Sequence, residues 1–251
     1  MSKQNTAKMT ELALALARSG NLPDAKALYK QLCQIDKNNA EAWIMLGAVN
    51  AELGNLTEAV SCQQRAIALQ PRSVKAHMHL AKAYLRTGKL EDARSSCQTV
   101  LSLQPDHAAA LVLLARVHIQ SGRHNEAESC CRKAITLKPD SPGVYFILGN
   151  ALHAQKKLDE CIESYRQALK HNPGHTKTHH HLGMALHAQG RFDEAAASYR
   201  DALRVNPGQP AVHFNLGVVL QEQKQLDAAA ASYREALKLK PDYAKAHANL
   251  G

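Results

Sequence analysis

Residues 40–73 read AEAWIMLGAVNAELGNLTEAVSCQQRAIALQPRS, and this stretch decides the fold. Trp43, Leu46 and Gly47 follow the i, i+3, i+4 spacing of one helix face. Gly54 ends that helix, because glycine accepts the left-handed conformation that a helix C-terminus needs. A second helix then stops before Pro71, since proline disfavours helix in the residue that precedes it. The stretch therefore predicts a helix–turn–helix unit.

The second helix is predicted to start at Thr57 and Glu58, which would supply an N-cap oxygen and a first-turn carboxylate. The same pattern recurs further along the chain as Asn125-Glu126, Asp159-Glu160 and Asp193-Glu194. Polar residues of this kind are expected to begin each second helix.

A period of 34 residues runs along the whole chain. Proline recurs at this interval as Pro71, Pro105, Pro139, Pro173, Pro207 and Pro241. Leucine occupies one register eight times, at Leu12, Leu46, Leu80, Leu114, Leu148, Leu182, Leu216 and Leu250, and a small residue always follows it. A helix–turn–helix unit cannot bury its apolar face alone, so these units must stack on one another.

These residues resemble the tetratricopeptide-repeat family, whose pattern stands here as Trp43, Leu46-Gly47, Gly54, Ala59, Ala66 and Pro71. The resemblance implies an all-α fold, a right-handed α-α superhelix of seven full repeats plus the start of an eighth. The repeats are residues 6–39, 40–73, 74–107, 108–141, 142–175, 176–209 and 210–243, with a partial repeat at 244–251. We expect residues 1–251 to form a single solenoid.

The sequence stops at Leu250-Gly251, within the first helix of the eighth repeat. Solenoids need polar capping helices at their ends for solubility. We therefore expect this chain to be the N-terminal portion of a longer protein. An uncapped end could also stack on a second copy, so self-association through that end is an alternative.

Composition favours an acidic partner, because 31 Lys and Arg face 22 Asp and Glu and give a formal net charge of +9. No apolar run approaches the roughly 18–20 residues that span a bilayer, and the run at 12–17 is too short for a secretory signal. We expect a cytoplasmic protein with no membrane segment. Its six cysteines should stay reduced and pack as small core residues, with Cys130-Cys131 the one pair that merits a redox test.

The outward face of each first helix is the predicted binding surface. With positions counted from Ala40 as position 1, positions 4, 7, 8 and 11 form the core side, and positions 2, 5, 6, 9, 12 and 13 point away. The resemblance implies that this outward face lines a concave groove that binds peptides. The candidate residues are Lys75, His79, Lys82, Arg86, Val112, Leu113, Arg116, Ile119, Phe146, Ile147, Asn150, His153, Lys177, His180, His181, His187 and Asn215.

The middle repeats place five Lys or Arg, five His and no acid among the 24 positions of this face. One interpretation is a solvated basic surface. The other is a groove for an acidic, partly apolar segment, with Val112, Leu113, Ile119, Phe146 and Ile147 as its apolar floor. The histidines also suggest a groove that gains charge on mild acidification. We expect no metal site, since His180 and His187 lie about 10 Å apart along one helix.

No catalytic motif is present: the chain has no phosphate-binding loop, nucleophile elbow, HExxH sequence or paired carboxylates. We therefore expect this segment to be non-catalytic and to need no cofactor. Its few aromatic residues do not favour specific nucleic-acid binding. Position 5 holds no lysine in any repeat, which argues against the carboxylate clamp found in chaperone-binding members of the family.

The function that follows is a scaffold for a protein or peptide partner, with two alternatives beside it. The last repeats, His213 to Gly217 and His247 to Gly251, are similar to those of O-linked N-acetylglucosamine transferases. That resemblance implies a substrate-recruiting arm of a larger transferase, in which asparagines at position 6 grip the substrate backbone. Bacterial sulfotransferases with such repeats would look the same over this stretch. Only Asn215 and Asn249 occupy that position here. Self-assembly is the other alternative.

Overall fold

The computed structural model describes residues 3–250, which form fifteen α-helices and no strand within that range. The first helices of the repeats are α1 (Lys3–Arg18), α3 (Ala40–Glu52), α5 (Val74–Arg86), α7 (Ala108–Gln120), α9 (Pro142–Ala154), α11 (Thr176–Ala188), α13 (Pro210–Glu222) and α15 (Ala244–Leu250). The second helices are α2 (Leu22–Ile35), α4 (Leu56–Leu69), α6 (Leu90–Leu103), α8 (His124–Leu137), α10 (Leu158–His171), α12 (Phe192–Val205) and α14 (Leu226–Leu239). The predicted all-α solenoid of seven repeats plus the start of an eighth is confirmed, and Gly251 lies outside the described residues.

The helices form two compact units, one ending at Gly122 and the other starting at Arg123. In the first unit α1–α2, α3–α4 and α5–α6 pack as antiparallel pairs, and in the second unit α9–α10, α11–α12 and α13–α14 do the same. Consecutive first helices also contact each other, as in α3–α5–α7 and α11–α13. Because each pair packs mainly on its neighbours in sequence, the first helices of a unit lie side by side.

The turn inside each repeat confirms the predicted use of glycine. Gly54 has a φ of +85°, and its amide donates to the carbonyl of Ala51. Two repeats place a lysine at the same point of the turn instead: Lys156 has a φ of 61° and Lys224 a φ of 62°. A side chain in this left-handed conformation brings its Cβ close to the backbone, which costs about 1–2 kcal/mol.

Replacing Lys156 by glycine is therefore expected to stabilise the protein by about 1 kcal/mol. Chemical denaturation of the purified chain measures the change. The matched reverse variant is Gly190→Lys, since Gly190 occupies the same turn position one repeat later with a φ of +74°. It should lose a similar amount, and a Lys156→Gly variant that is less stable than the parent would contradict the argument.

The start of the second helices differs from the prediction. The helix of repeat two begins at Leu56 with Asn55 as its N-cap, and no side chain bonds to the free amides there. Thr57 is already inside the helix, so the predicted N-cap oxygen is wrong. The first-turn carboxylate of Glu58 is confirmed. The helix starts early because the tight glycine turn leaves Asn55 placed so that its carbonyl accepts from the amide of Ala59.

The core of several repeats pairs a glycine of the first helix with a large side chain of the second. A Cβ added to Gly149, Gly183 or Gly217 would lie 2.4–2.6 Å from the ring of a tyrosine, and at Gly47 it would lie 2.3 Å from Gln63. These tyrosines are Tyr165, Tyr199 and Tyr233, all buried. In these four repeats the glycine after the register leucine thus leaves room for a large side chain of the second helix.

The cysteines pack in the core, as predicted. Cys33, Cys62, Cys97, Cys131 and Cys161 are buried, and Cys130 is half-buried. Burial raises the pKa of the Cys131 thiol to about 12, with Cys130 and Glu128 adding to the effect. A thiol held in its protonated form at neutral pH is a poor nucleophile.

Polar contacts join consecutive repeats in the second unit. The side chain of Gln189 donates to Asp159 over 2.7 Å, and that of Gln223 donates to Asp193 over 2.6 Å. Arg166 pairs with Glu194 at 2.9 Å between the second helices of neighbouring repeats. These groups are largely exposed, so each pair contributes only a fraction of a kcal/mol, in the range of ~0–1.

Among the described residues no helix is both long and apolar enough to cross a bilayer.

Candidate functional site

In the first unit the predicted binding surface is carried by α5 and α7. Its charged residues Lys75, Lys82, Arg86 and Arg116 are exposed, and His79 is half-buried among them. Val112 and Ile119 are also half-buried and contribute apolar area to α7. The exposed and half-buried residues of this set define what we call the α5–α7 face: Lys75, His79, Lys82, Arg86, Val112, Arg116 and Ile119.

Two of these four cations are already engaged by the preceding repeat. Lys75 forms a salt bridge with Glu41 on α3, and its ammonium also lies 3.4 Å from the sulfur of Met45. Arg86 donates to the backbone carbonyl of Ala51 at the end of α3. Lys82 and Arg116 form no ion pair within the described part of the chain. The free positive charge of the α5–α7 face therefore comes from these two.

The prediction for Leu113 is corrected by the structure. Its side chain is only 4% exposed, so it belongs to the interior and not to the α5–α7 face. The physical reason is visible at the same position in the second unit, where the ring of His181 contacts Tyr165 of the preceding repeat. Position 6 thus points partly into the joint between repeats, where a leucine is covered.

In the second unit the corresponding surface is a cluster of aromatic and imidazole rings on α9 and α11, backed by tyrosines of α10 and α12. Phe146 lies edge-on to His181 and His175, with ring centroids 5.2 and 5.3 Å apart. His180 lies 5.9 Å from His181 and 5.9 Å from Tyr199. We call Phe146, His175, His180, His181 and the adjoining tyrosines the ring cluster.

Several polar side chains of this second surface have partners within the chain. The Asn215 amide donates to Nε2 of His180 over 2.9 Å, and the Tyr165 hydroxyl donates to the Asn150 side chain over 2.8 Å. Nε2 of His187 lies 3.2 Å from a carboxylate oxygen of Glu222. Ile147 and His153 are half-buried, and Lys177 is exposed. Lys177 forms no ion pair within residues 3–250, so it is the one lysine of this surface left free to meet a ligand.

The prediction of a groove that gains charge on mild acidification is corrected for two histidines, His79 and His181. Burial, with help from Lys82 and Lys75, lowers the pKa of His79 to about 4. Burial, followed by His180, His153, Lys177 and His175, lowers the pKa of His181 to about 4. Burial also lowers the pKa of His180. The His79 and His181 rings stay neutral at pH 5.5, because an imidazolium there would lose its hydration and face other positive charges.

The same pKa values predict that the fold loses stability in weak acid. The unfolded chain has histidines near pKa 6.5 and so binds more protons than the folded chain between about pH 6.5 and 4. Stability is therefore present above pH 6.5 and falls as the pH falls. We expect a loss of about 1 kcal/mol per histidine between pH 7.5 and 5, after allowing for solvent screening.

Urea unfolding at several pH values measures this loss, and His181→Gln should remove part of the slope. An unchanged slope would contradict this, because it would show that His181 takes up its proton equally in the folded and unfolded states. The urea series stops at pH 5 because the carboxyl of Glu128 also changes its protonation at lower pH. Burial tends to raise the pKa of its carboxyl, but hydrogen bonds from Lys157, Arg132 and Gln155 outweigh that and hold it near 2.

The histidines at position 4 have a structural role that the sequence reasoning missed. Nε2 of His179 donates to the carbonyl of Pro173 over 2.8 Å, and His77, His213 and His247 bond in the same way to Pro71, Pro207 and Pro241. The indole N–H of Trp43 donates in the same way to the backbone carbonyl of Lys37. Each of these histidines follows its proline by six residues, and this constant spacing is the feature of the sequence that indicates the contact. Within residues 3–250 no three His, Cys, Asp or Glu side chains converge as metal ligands do.

Two family models match the sequence and together span most of it. The first, described as the Cilia and flagella-associated protein 70 C-terminal domain, matches residues 2–184. The second, the Tetratricopeptide repeat, matches residues 180–244. The chain belongs to the tetratricopeptide-repeat family that the first model describes. No protein of curated function matches this tetratricopeptide-repeat chain.

Solved structures show the same fold at low sequence identity. A tetratricopeptide repeat protein from Parabacteroides merdae is 17% identical with a TM-score of 0.73, and 98% of each chain is covered. A chain of the APC/C hetero-tetramer Cut9-Hcn1 is 19% identical with a TM-score of 0.76, over 95% of this chain and 47% of that one. YrrB, described as having an unusual peptide-binding site, is 21% identical with a TM-score of 0.64, over 74% of this chain and 96% of its own.

The two asparagines that resemble a substrate-gripping ladder are both engaged within the tetratricopeptide repeats. Asn215 donates to His180, and Asn249 donates to the hydroxyl of Tyr233 over 3.0 Å. Each is thus held by a ring of its own chain. This arrangement does not favour the transferase-arm alternative over a general scaffold.

Proposed function

We propose that this tetratricopeptide-repeat protein is an interaction scaffold whose α5–α7 face binds an acidic, partly apolar segment of a partner protein. The observation that carries the proposal is the pair Lys82 and Arg116. Both are exposed, neither has an ion-pair partner within the described residues, and they flank the half-buried apolar side chains Val112 and Ile119. Cations beside apolar area attract a segment that alternates carboxylates with apolar side chains.

An acidic residue of the preceding repeat reduces the positive charge of the α5–α7 face, and this further limits the ligand. Glu41 neutralises Lys75 at the edge of the α5–α7 face, so the attraction is concentrated at Lys82 and Arg116. His79, whose charged neighbours are Lys82, Lys75 and Glu41, stays neutral at physiological pH. The ligand should therefore place its carboxylates about one repeat apart, with an apolar side chain between them.

The test is a fluorescence-anisotropy titration with a fluorescein-labelled peptide of repeated Asp-Leu-Glu-Phe. The double variant Lys82→Glu with Arg116→Glu should weaken binding about tenfold or more, since each reversal converts an attraction into a repulsion. The matched control is Lys8→Glu with Arg234→Glu, which changes the net charge equally at exposed sites on α1 and α14. Equal loss in both variants would reduce the effect to overall charge and contradict the proposal.

A further inference from the structure

A second surface of the first unit has the character of a ligand site, and it lies away from the α5–α7 face. A cleft of about 570 Å³ opens between the second helices α2 and α4, with α3 beneath them. This volume falls within the range of sites that hold one or two side chains or a small molecule. The cleft belongs wholly to residues 26–65.

A side chain that is small in comparison with the other repeats lines the cleft. Cys33 lines it, at position 28 of the first repeat. In the later repeats this position holds a branched residue: Ile67, Leu101, Ile135, Leu169, Leu203 and Leu237. Cys33, Cys62 and Leu46 form the apolar floor of the cleft. These three residues are buried in the structure, each with little contact to solvent.

One wall of the cleft is the indole of Trp43, which is half-buried. Its N–H donates to the carbonyl of Lys37 over 3.1 Å, which fixes the ring in place. The indole face thus meets the cleft as a rigid apolar surface. Trp43 is also the sole tryptophan of the sequence, so its fluorescence reports on this cleft alone.

The rim of the cleft is positively charged. Lys26, Lys30, Lys37 and Arg65 surround it, against a single acid, Glu58. None of the four cations forms an ion pair within the part of the chain that the structure describes. An apolar floor under a rim with an excess of three positive charges selects for an apolar group flanked by anions.

We propose that this α2–α4 cleft is a second binding site, which takes an apolar side chain of a partner protein together with the carboxylates that flank it in sequence. A protein segment fits better than a nucleic acid for two reasons. The lining combines aliphatic and thiol groups with the amides of Gln34 and Asn50 and one aromatic wall, whereas unpaired bases need stacked aromatic platforms. Glu58 would repel a phosphate but can accept a hydrogen bond from a peptide amide.

The experiment titrates the full chain with the peptide acetyl-Glu-Asp-Leu-Phe-Glu-Asp-amide and follows the fluorescence of Trp43. A saturable change is expected. The peptide acetyl-Lys-Lys-Leu-Phe-Lys-Lys-amide and the peptide acetyl-Glu-Asp-Ser-Ser-Glu-Asp-amide should each produce no saturable change, because one lacks the charge and the other the apolar anchor.

Two kinds of variant locate the binding. Lys30→Glu with Arg65→Glu should weaken binding about tenfold, since both side chains are exposed on the rim. Cys33→Leu should abolish binding by filling the cleft. If circular dichroism shows that Cys33→Leu has lost helicity, the location of binding is judged from the Lys30→Glu, Arg65→Glu variant instead. Lys82→Glu with Arg116→Glu should leave the Trp43 titration unchanged, so failure at one site is distinguishable from failure at the other.

Three results would overturn the proposal. One is a Trp43 titration that is the same in the Lys30→Glu, Arg65→Glu variant as in the parent. Another is an equal response to the basic peptide. The third is an oligothymidylate that binds the cleft more tightly than the acidic peptide, which would assign the surface to nucleic acid instead.

Discussion

Replacing Gly183 by alanine is expected to lower the free energy of unfolding by about 3 kcal/mol. A Cβ at this residue would lie 2.6 Å from Cε1 and 2.7 Å from Cδ1 of Tyr199, well inside contact distance. The tyrosine is 1% exposed and cannot swing into solvent. The helices must therefore separate, and the loss of packing extends beyond the substituted residue.

A double-mutant cycle tests whether the clash with Tyr199 is the cause. Repeat three carries Ala81 and Cys97 at the two equivalent positions, so a small residue in the tyrosine position accommodates the alanine. Gly183→Ala should cost much less in a Tyr199→Cys background than in the parent, with a coupling energy of about 1 kcal/mol or more. Independent costs would contradict the assignment.

Gly143→Ala is the matched control for this cycle. Gly143 lies in α9 of the same unit, and an added Cβ there would meet no atom within 4 Å. The substitution should change the free energy of unfolding by no more than about 0.5 kcal/mol. A large loss at Gly143 would contradict the argument, because alanine has the higher helix propensity and its Cβ would meet no neighbour there.

Truncating Leu148 to alanine is expected to cost about 2–5 kcal/mol. Leu148 is 5% exposed in α9 and occupies the leucine register that recurs in every repeat. Removing its branched end leaves a cavity between α9 and the helices packed on it, because close-packed neighbours relax only in part. Denaturant unfolding with a helical readout measures the loss.

The comparison variant for Leu148 is Leu226→Ala. Leu226 is 65% exposed at the start of α14, so the same truncation there removes little buried area. Its cost should be within about 0.5 kcal/mol. If both leucines cost the same, the 34-residue register does not mark the core, and the assignment of faces would need revision.

Much of the fold was predictable because it is built from local, repeated signals. The spacing of Trp43, Leu46 and Gly47, the glycine of the turn and the proline of the next turn act within one repeat. Stacking needs only neighbouring repeats. The error at Thr57 arose because the choice of N-cap depends on backbone geometry set by the turn, which residue type alone does not reveal.

The binding surface was less predictable, because exposure and free charge depend on the neighbouring repeat. Lys75 and Leu113 fit the same helical pattern as Lys82, yet one is paired with Glu41 and the other is buried. The histidines illustrate the same point. Their residue type suggested titration near pH 6.5, whereas burial lowers the pKa of His181 to about 4.

The sequence by itself determined the helices, the repeat and the family, because a 34-residue period of apolar and turn residues admits one kind of stacking. Only the tertiary structure decided which cations are free, which histidines stay neutral, and that Cys33 lines a cleft beside Trp43. Those properties come from side chains of different repeats meeting in space. Their distances and desolvation are set by packing, which no single repeat encodes.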